Sequence, residues 1–168
     1  MDIPNNLDEL TELFAKLGAR DPMGWARSQL DEGMPQLQKY LFLRQAWKNV
    51  LREDDTDWIQ REVQRAQQHP DEPYAGIGHA LQRCLDKGVR PQDLTDIVRG
   101  FQARSLFDFG YLLDDPAFSE REFKDFAWGL FEVDKKNGNP IPPCIDGLYE
   151  CVLDTDPTGR EMRPRNAS

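Results

Sequence analysis

Two histidines, three cysteines and a short run of alternating acids are the side chains of this chain best suited to chemistry. A nucleophile–His–carboxylate site would need His69 or His79, and neither lies in a nucleophile signature; no G-x-S-x-G occurs. His69 precedes Pro70 in a polar break and reads as a surface residue, while His79 falls near the start of a helix. Cys84 follows His79 by five residues, which is not a same-face helical spacing. It continues the face of Ile77, Leu81 and Leu85 and reads as a small core residue. Cys144 and Cys151 are seven apart with no histidine nearby, and neither C-x-x-C nor H-E-x-x-H occurs, so no metal is expected. Gly76-Ile77-Gly78 begins a dinucleotide-type glycine motif, but Leu81 stands where the third glycine belongs and no strand precedes it. No P-loop lysine motif is present either, and no cofactor is expected.

The acids Asp154 and Asp156 with Thr158, after the apolar Cys151-Val152-Leu153, form a D-x-D-x-T run. It resembles the nucleophile motif of haloacid-dehalogenase-type phosphatases, which implies attack on phosphate by the first aspartate and acid–base work by the second. That motif must end the first strand of a parallel sheet whose later strands bring a Ser/Thr, a Lys and further acids. Only ten residues follow Thr158 here, so the resemblance is set aside. As a calcium loop the run also fails, because position 12 is Arg165 where a bidentate Glu is required. A turn suits Asp156-Pro157 and Gly159 better. Carboxylate pairs such as Glu53/Asp57 and Asp93/Asp96 need no catalytic explanation on the helices of an acidic chain. The sequence leans away from an enzyme.

The elements that would position these residues are helical almost throughout. Asn6 caps a first helix carrying Leu7, Leu10, Leu13, Phe14 and Leu17, and Gly18 stops it. Asp21-Pro22 starts a second, with Trp25 and Leu30, ended by Gly33. A third is predicted from Pro35 to about Glu53, and a fourth after Asp54–Asp57 through Trp58, Ile59, Val63 and Ala66. After the break at His69–Pro73, Ile77, Ala80, Leu81, Cys84 and Leu85 mark a fifth, closed by Gly88. Pro91 opens a sixth, to Leu113. Ser119 and Glu122 form a capping box for a helix through Phe123, Phe126, Ala127, Leu130 and Phe131, although Trp128–Val133 also has strand propensity. Asn137–Pro143 excludes helix and central strand, and a last short helix fits Ile145–Leu153. The expectation is an all-α single-domain bundle of seven to eight helices over residues 1–153, with an extended tail at 154–168. No point is visible at which two cores would divide. The length of 168 residues, 39% hydrophobic, supplies one sizeable core.

Two helices carry charge on their apolar arcs. On the third, Arg44 falls among Leu37, Tyr40, Leu41, Leu43, Trp47, Val50 and Leu51. On the sixth, Ser105 and Asp108 fall within the stripe of Leu94, Ile97, Val98, Phe101, Phe109 and Leu112. A lone buried charge costs several kcal/mol, so Arg44 and Asp108 are read as a buried polar pair, with Arg104 competing for Asp108. The opposing reading lets Arg44 snorkel and leaves Asp108 at the rim.

Charge then bounds the partners. The net charge of −9 disfavours nucleic acid and an acidic membrane surface. Residues 105–156 alone hold 4 basic and 12 acidic groups, a surface that attracts a basic protein. The partner-binding candidates are Asp114, Asp115, Glu120, Glu122 and Asp125, with Phe118 as an anchor. By size and charge this resembles small acidic inhibitors such as immunity proteins. The alternatives are a small-molecule site near Arg44, Asp108 and His79, and a subunit of a homo-oligomer. Arg160, Arg163 and Arg165 give the tail a means of folding back on the acidic stretch. A polar Met1–Asn6 without an apolar stretch after it, and three cysteines, give a cytoplasmic expectation.

Overall fold

The computed structural model describes residues 3–116 and 119–165. Their elements run α1 (Leu7–Leu17), α2 (Pro22–Glu32), α3 (Gln36–Ala46), α4 (Asp57–Gln68), α5 (Ala75–Asp86), α6 (Pro91–Asp114), β1 (Leu130–Val133) and β2 (Pro140–Ile145). Short 3-10 turns lie at Trp47–Asn49, Arg121–Phe123 and Tyr149–Cys151. The fold is therefore mostly helical, with six helices rather than seven or eight and a small sheet. The chain forms two units, one of residues 1–49 with 103–168 and one of residues 50–102.

In the first unit the local signals act as written. Asn6 Oδ1 accepts from the Glu9 amide at 3.0 Å and Asp21 Oδ1 from Gly24 at 3.0 Å, while Gly18 closes α1 at φ 89°. These caps satisfy amides that have no partner inside the helix. Pro35 cannot cap α3 with a side chain, and Gln29 Oε1 serves instead, accepting from the Leu37 amide at 2.8 Å. Leu10, Phe14, Ala26, Leu37 and Tyr40 make the core. Phe14, Trp25 and Tyr40 meet ring to ring at 5.2–5.9 Å, two of the three contacts edge-on.

The stretch expected as a seventh helix is a 3-10 turn followed by β1. The capping box at Ser119 and Glu122 makes no cap, because Ser119 bonds the Glu120 carboxylate instead. β1 pairs antiparallel with β2, Leu130 opposite Ile145 and Val133 opposite Pro140, with an irregularity between Leu130 and Glu132. Asp134 builds the connecting turn by accepting from the Lys136 amide at 2.8 Å. Gly138, at φ 74°, supplies the left-handed residue. Pro140, Pro142 and Pro143 carry no N–H, which fits a strand in a two-stranded sheet.

In the second unit, α4, α5 and the first part of α6 surround Trp58, Ile59, Val63, Leu81 and Leu94. Asp55 caps α4, accepting from Asp57 at 2.9 Å and Trp58 at 3.3 Å. Gly78 is a contact residue rather than a permissive helix start: a Cβ there would lie 2.2 Å from the Glu62 carbonyl oxygen and 2.6 Å from Ala66 Cβ. The predicted α5 face is corrected at Ile77, which is 47% exposed, while Leu81 is buried and Cys84 half-buried.

Candidate functional site

The surface expected to bind a partner is built on the residues after α6, and its acids divide into one half-buried and four exposed. Asp114 is half-buried: its Oδ2 accepts from the Leu148 amide at 2.9 Å, and burial pushes its carboxyl above the ordinary aspartate value despite that bond. Asp114 thus ties the end of α6 to residue 148. Asp115, Glu120, Glu122 and Asp125 are exposed. Phe118 lies outside the described residues.

The segment also carries aromatics in and beside the predicted seventh helix. Phe126 is 65% exposed, and Phe123 and Trp128 are each 44% exposed. The Phe123 and Phe126 rings meet edge-on at 6.2 Å, and Trp128 Nε1 donates to the Leu112 carbonyl at 2.7 Å. That bond fixes the segment against the end of α6 while one side of the indole stays in water. The sequence places Phe123, Phe126 and Phe131 with Ala127 and Leu130 on the face of a predicted helix; the strand propensity of Trp128–Val133 is the signal against that helix.

Arg44 and Asp108 are both exposed, so the burial that motivated their pairing is not met, and no ion pair or hydrogen bond joins them. The sixth-helix stripe explains why. Ile97, Phe101, Phe109 and Leu112 face solvent, at 55%, 66%, 64% and 43% exposure. The buried side of α6 holds Thr95, Arg99, Ala103 and Gly110. Small residues admit closer backbone approach: a Cβ at Gly110 would sit 3.1 Å from the Tyr149 amide nitrogen. The buried polar side chains are therefore Gln36, Lys39, Thr95, Arg99, Thr155 and Asp156.

Residues 154–165 are a chain of turns held in the first unit, not an extended tail. Trp47 Nε1 donates to the Val152 carbonyl and the Thr155 hydroxyl, each at 3.1 Å. Buried Asp156 accepts from the Thr158 amide at 3.1 Å, the Thr158 hydroxyl at 2.7 Å and the Met162 amide at 3.0 Å. Those bonds hold Glu161 and Met162 in the left-handed region, at φ 54° and 58°. Arg20, from the α1–α2 connection, pairs with Glu161 and donates to the Gly159 carbonyl. The Arg20 guanidinium holds the Glu161 carboxyl below the ordinary glutamate range. Arg20 is thus a cation that docks this segment, and Arg163 pairs with Glu161 inside the segment at 2.6 Å.

Two clefts adjoin Arg20 and Asp154. One, of about 470 Å³, is lined by Tyr40, Arg44 and the loop 154–159. The other, of about 310 Å³, is lined by Trp25, Ser28, Gln36 and Cys151 among others. Neither Asp108 nor His79 lines either one, and both histidines are exposed. Among the described residues no cluster of three or more His, Cys, Asp or Glu could hold a metal, and no helix is long and apolar enough to cross a membrane. No family model, curated protein or solved structure matches this chain.

Proposed function

We propose that this chain is a protein-interaction domain of the cytoplasm that binds a partner with a basic surface, in the manner of an inhibitor or immunity-type protein. One observation carries the reading: exposed Phe123, Phe126 and Trp128 stand within eight residues of exposed Glu120, Glu122 and Asp125. Exposed aromatics among charges are costly to leave wet and useful at an interface, where a few rings supply most of the binding energy. The acids steer a basic partner and raise the encounter rate, and the rings hold it once water leaves. Asp114 is not among the contact residues of this reading, because its carboxylate is engaged with residue 148.

The test is retention of proteins from a native lysate on the immobilised full chain, at low and at high salt, with two variants beside it. Wild type is expected to hold a basic protein that salt releases. Phe126→Ser is expected to weaken retention about 30-fold, the loss of roughly 2 kcal/mol at a hot-spot ring. Reversing Glu120, Glu122 and Asp125 to Lys is expected to abolish it. Retention unaffected by either variant, or no basic protein held, overturns the reading.

A second reading, a small-molecule site, has the cleft at Arg44 in its favour. The Arg44 guanidinium and Tyr40 ring both line it. A thermal-shift screen of anionic metabolites against wild type and Arg44→Ala tests it: a shift present only in wild type supports a site there.

A further inference from the structure

We propose that the open edge of β1 pairs with β1 of a second copy of this chain, antiparallel and about a two-fold axis at Phe131. β1 and β2 make a two-stranded sheet, so each strand has one side without a neighbouring strand. β2 is poorly equipped on its side, since Pro140, Pro142 and Pro143 bring no N–H. The direction of the β1 groups follows from the turn. The Asp134 amide donates to the Asn139 carbonyl at 2.9 Å, so position 134 turns its backbone toward β2. Antiparallel ladders alternate: Glu132, opposite Ile141, also turns inward, and the N–H and C=O of Phe131 and Val133 turn outward. The side chains of those two residues share a face and are 38% and 51% exposed. On the other face Leu130 is half-buried, and Gln38 Nε2 donates to the Glu132 carboxylate at 2.9 Å. All of these residues belong to one unit.

The order of residues identifies the occupant. With the axis at Phe131, each position 131 + k faces 131 − k of the other copy. The two Phe131 residues then exchange a pair of N–H···O=C bonds, and Val133 faces Gly129. The Phe131 ring lies over Gly129, its Cε2 3.1 Å from where a Cβ at 129 would stand, so Val133 of one copy meets the Phe131 ring of the other. Glu132 faces Leu130 in this register; an axis one residue on would set the two Glu132 carboxylates against each other. Charge favours the same orientation. Exposed Lys135 and Lys136 follow β1, and Asp134 beside them is engaged by the Lys136 amide and the Asn137 side chain. Before β1, the exposed acids Glu120, Glu122 and Asp125 outnumber the bases Arg121 and Lys124 three to two. Antiparallel pairing sets the basic end of one copy beside the acidic end of the other, with Lys136 facing Phe126, next to Asp125. A strand from a basic partner would instead meet Lys135 and Lys136 with like charge. A strand of four residues gives a small interface, so the association is weak and concentration-dependent. The inference stands apart from the basic-partner reading, because it rests on the backbone of β1.

Sedimentation equilibrium of the full chain over a concentration series tests it. Wild type is expected to show a monomer–dimer equilibrium. Phe131→Lys and Phe131→Glu each set like charges opposite each other at the axis, and each is expected to weaken association at least about 10-fold. An equimolar mixture of the two is expected to associate more tightly than either variant alone, since Lys then faces Glu. That recovery occurs only if position 131 meets itself across the interface. Val133→Pro removes an outward N–H that the β1–β2 ladder does not use. It is expected to weaken the dimer about 10-fold while leaving the thermal melt of the monomer close to that of wild type. A monomer at every concentration, a mixture no tighter than its components, or a folded Val133→Pro variant that associates like wild type overturns the pairing.

Discussion

Residues 119–133 and 147–163 are both short-element, turn-rich stretches of the same unit, and they handle their side chains in opposite ways. The first exposes Phe123, Phe126 and Trp128 to water, while the second buries Thr155 and Asp156. The difference lies in where hydrogen bonds can be completed. Asp156 gathers three donors from its own loop, and Thr155 takes the Trp47 indole N–H while donating to the 151–152 carbonyls. A polar loop with a full complement of partners can enter the interior, because nothing is left unsatisfied. The 119–133 stretch is tied by the Trp128 bond to Leu112, the Gln38 bond to Glu132 and an irregular two-stranded pairing, and its rings stay exposed. One stretch closes the unit and the other presents a surface.

The sharpest way to break this contrast is Asp156→Ala, which removes the acceptor of three bonds at a buried position. It is expected to lower stability by about 3 kcal/mol, measured by urea denaturation, against at most 1 kcal/mol for any single truncation at Glu120, Glu122 or Asp125. Trp47→Phe deletes the N–H shared by Val152 and Thr155 and leaves a smaller ring in a buried site, with an expected loss of about 2 kcal/mol.

The Arg20–Glu161 contact makes a smaller, pH-dependent contribution. Its sign follows from the depressed Glu161 carboxyl: the stabilisation is fully present above the ordinary glutamate pKa and is lost as pH falls through the lower folded value. A thermal melt series between about pH 6 and 3 should show that loss diminished in Arg20→Ala. Last in size, Phe126→Ser is expected to move the melting free energy by no more than about 0.5 kcal/mol, since the ring is mostly in water already. A large loss of stability there would mean that the ring belongs to the core and that the two stretches do not differ as described.

Much of the helical fold was legible because its signals are local. Asn6, Asp21 and Pro22, Gly18, Gly33, Gly88 and Pro91 mark helix ends through backbone geometry and capping, which need no distant partner. The α6 stripe was legible as a stripe, but Leu94 is buried and Val98 half-buried, while Ile97, Phe101, Phe109 and Leu112 face water. Periodicity says which residues share a side; which side turns inward depends on what packs there, and Gly110 lets Tyr149 approach on the other one. Gly78 shows the same limit: read alone it is a flexible helix residue, but Glu62 and Ala66 make it a close contact. Arg44 and Asp108 were paired on the premise that both lie on buried arcs; the α3 arc is buried at Leu37, Tyr40, Leu43 and Trp47 but Arg44 itself is exposed, and beside Asp108 the α6 residues Phe109 and Leu112 face water.

By itself the sequence determined the helical class, the starts and stops of α1, α2 and α6 but not the end of α3 (Ala46 rather than about Glu53), the acidic excess of 105–156 and the lack of a recognisable catalytic signature. These follow from short-range sterics, from hydrogen bonds between near neighbours and from composition. Only the tertiary structure decided that 119–133 becomes a turn and a strand, that the D-x-D-x-T run becomes a turn with Thr155 and Asp156 buried, and that the aromatics of α6 and of 119–133 face water. Each of those outcomes depends on partners far away in the chain: Trp47 for Thr155, Arg20 for Glu161, Leu148 for Asp114. Such pairings are fixed by packing in three dimensions, where the burial of a polar group is decided by whether its partner arrives with it.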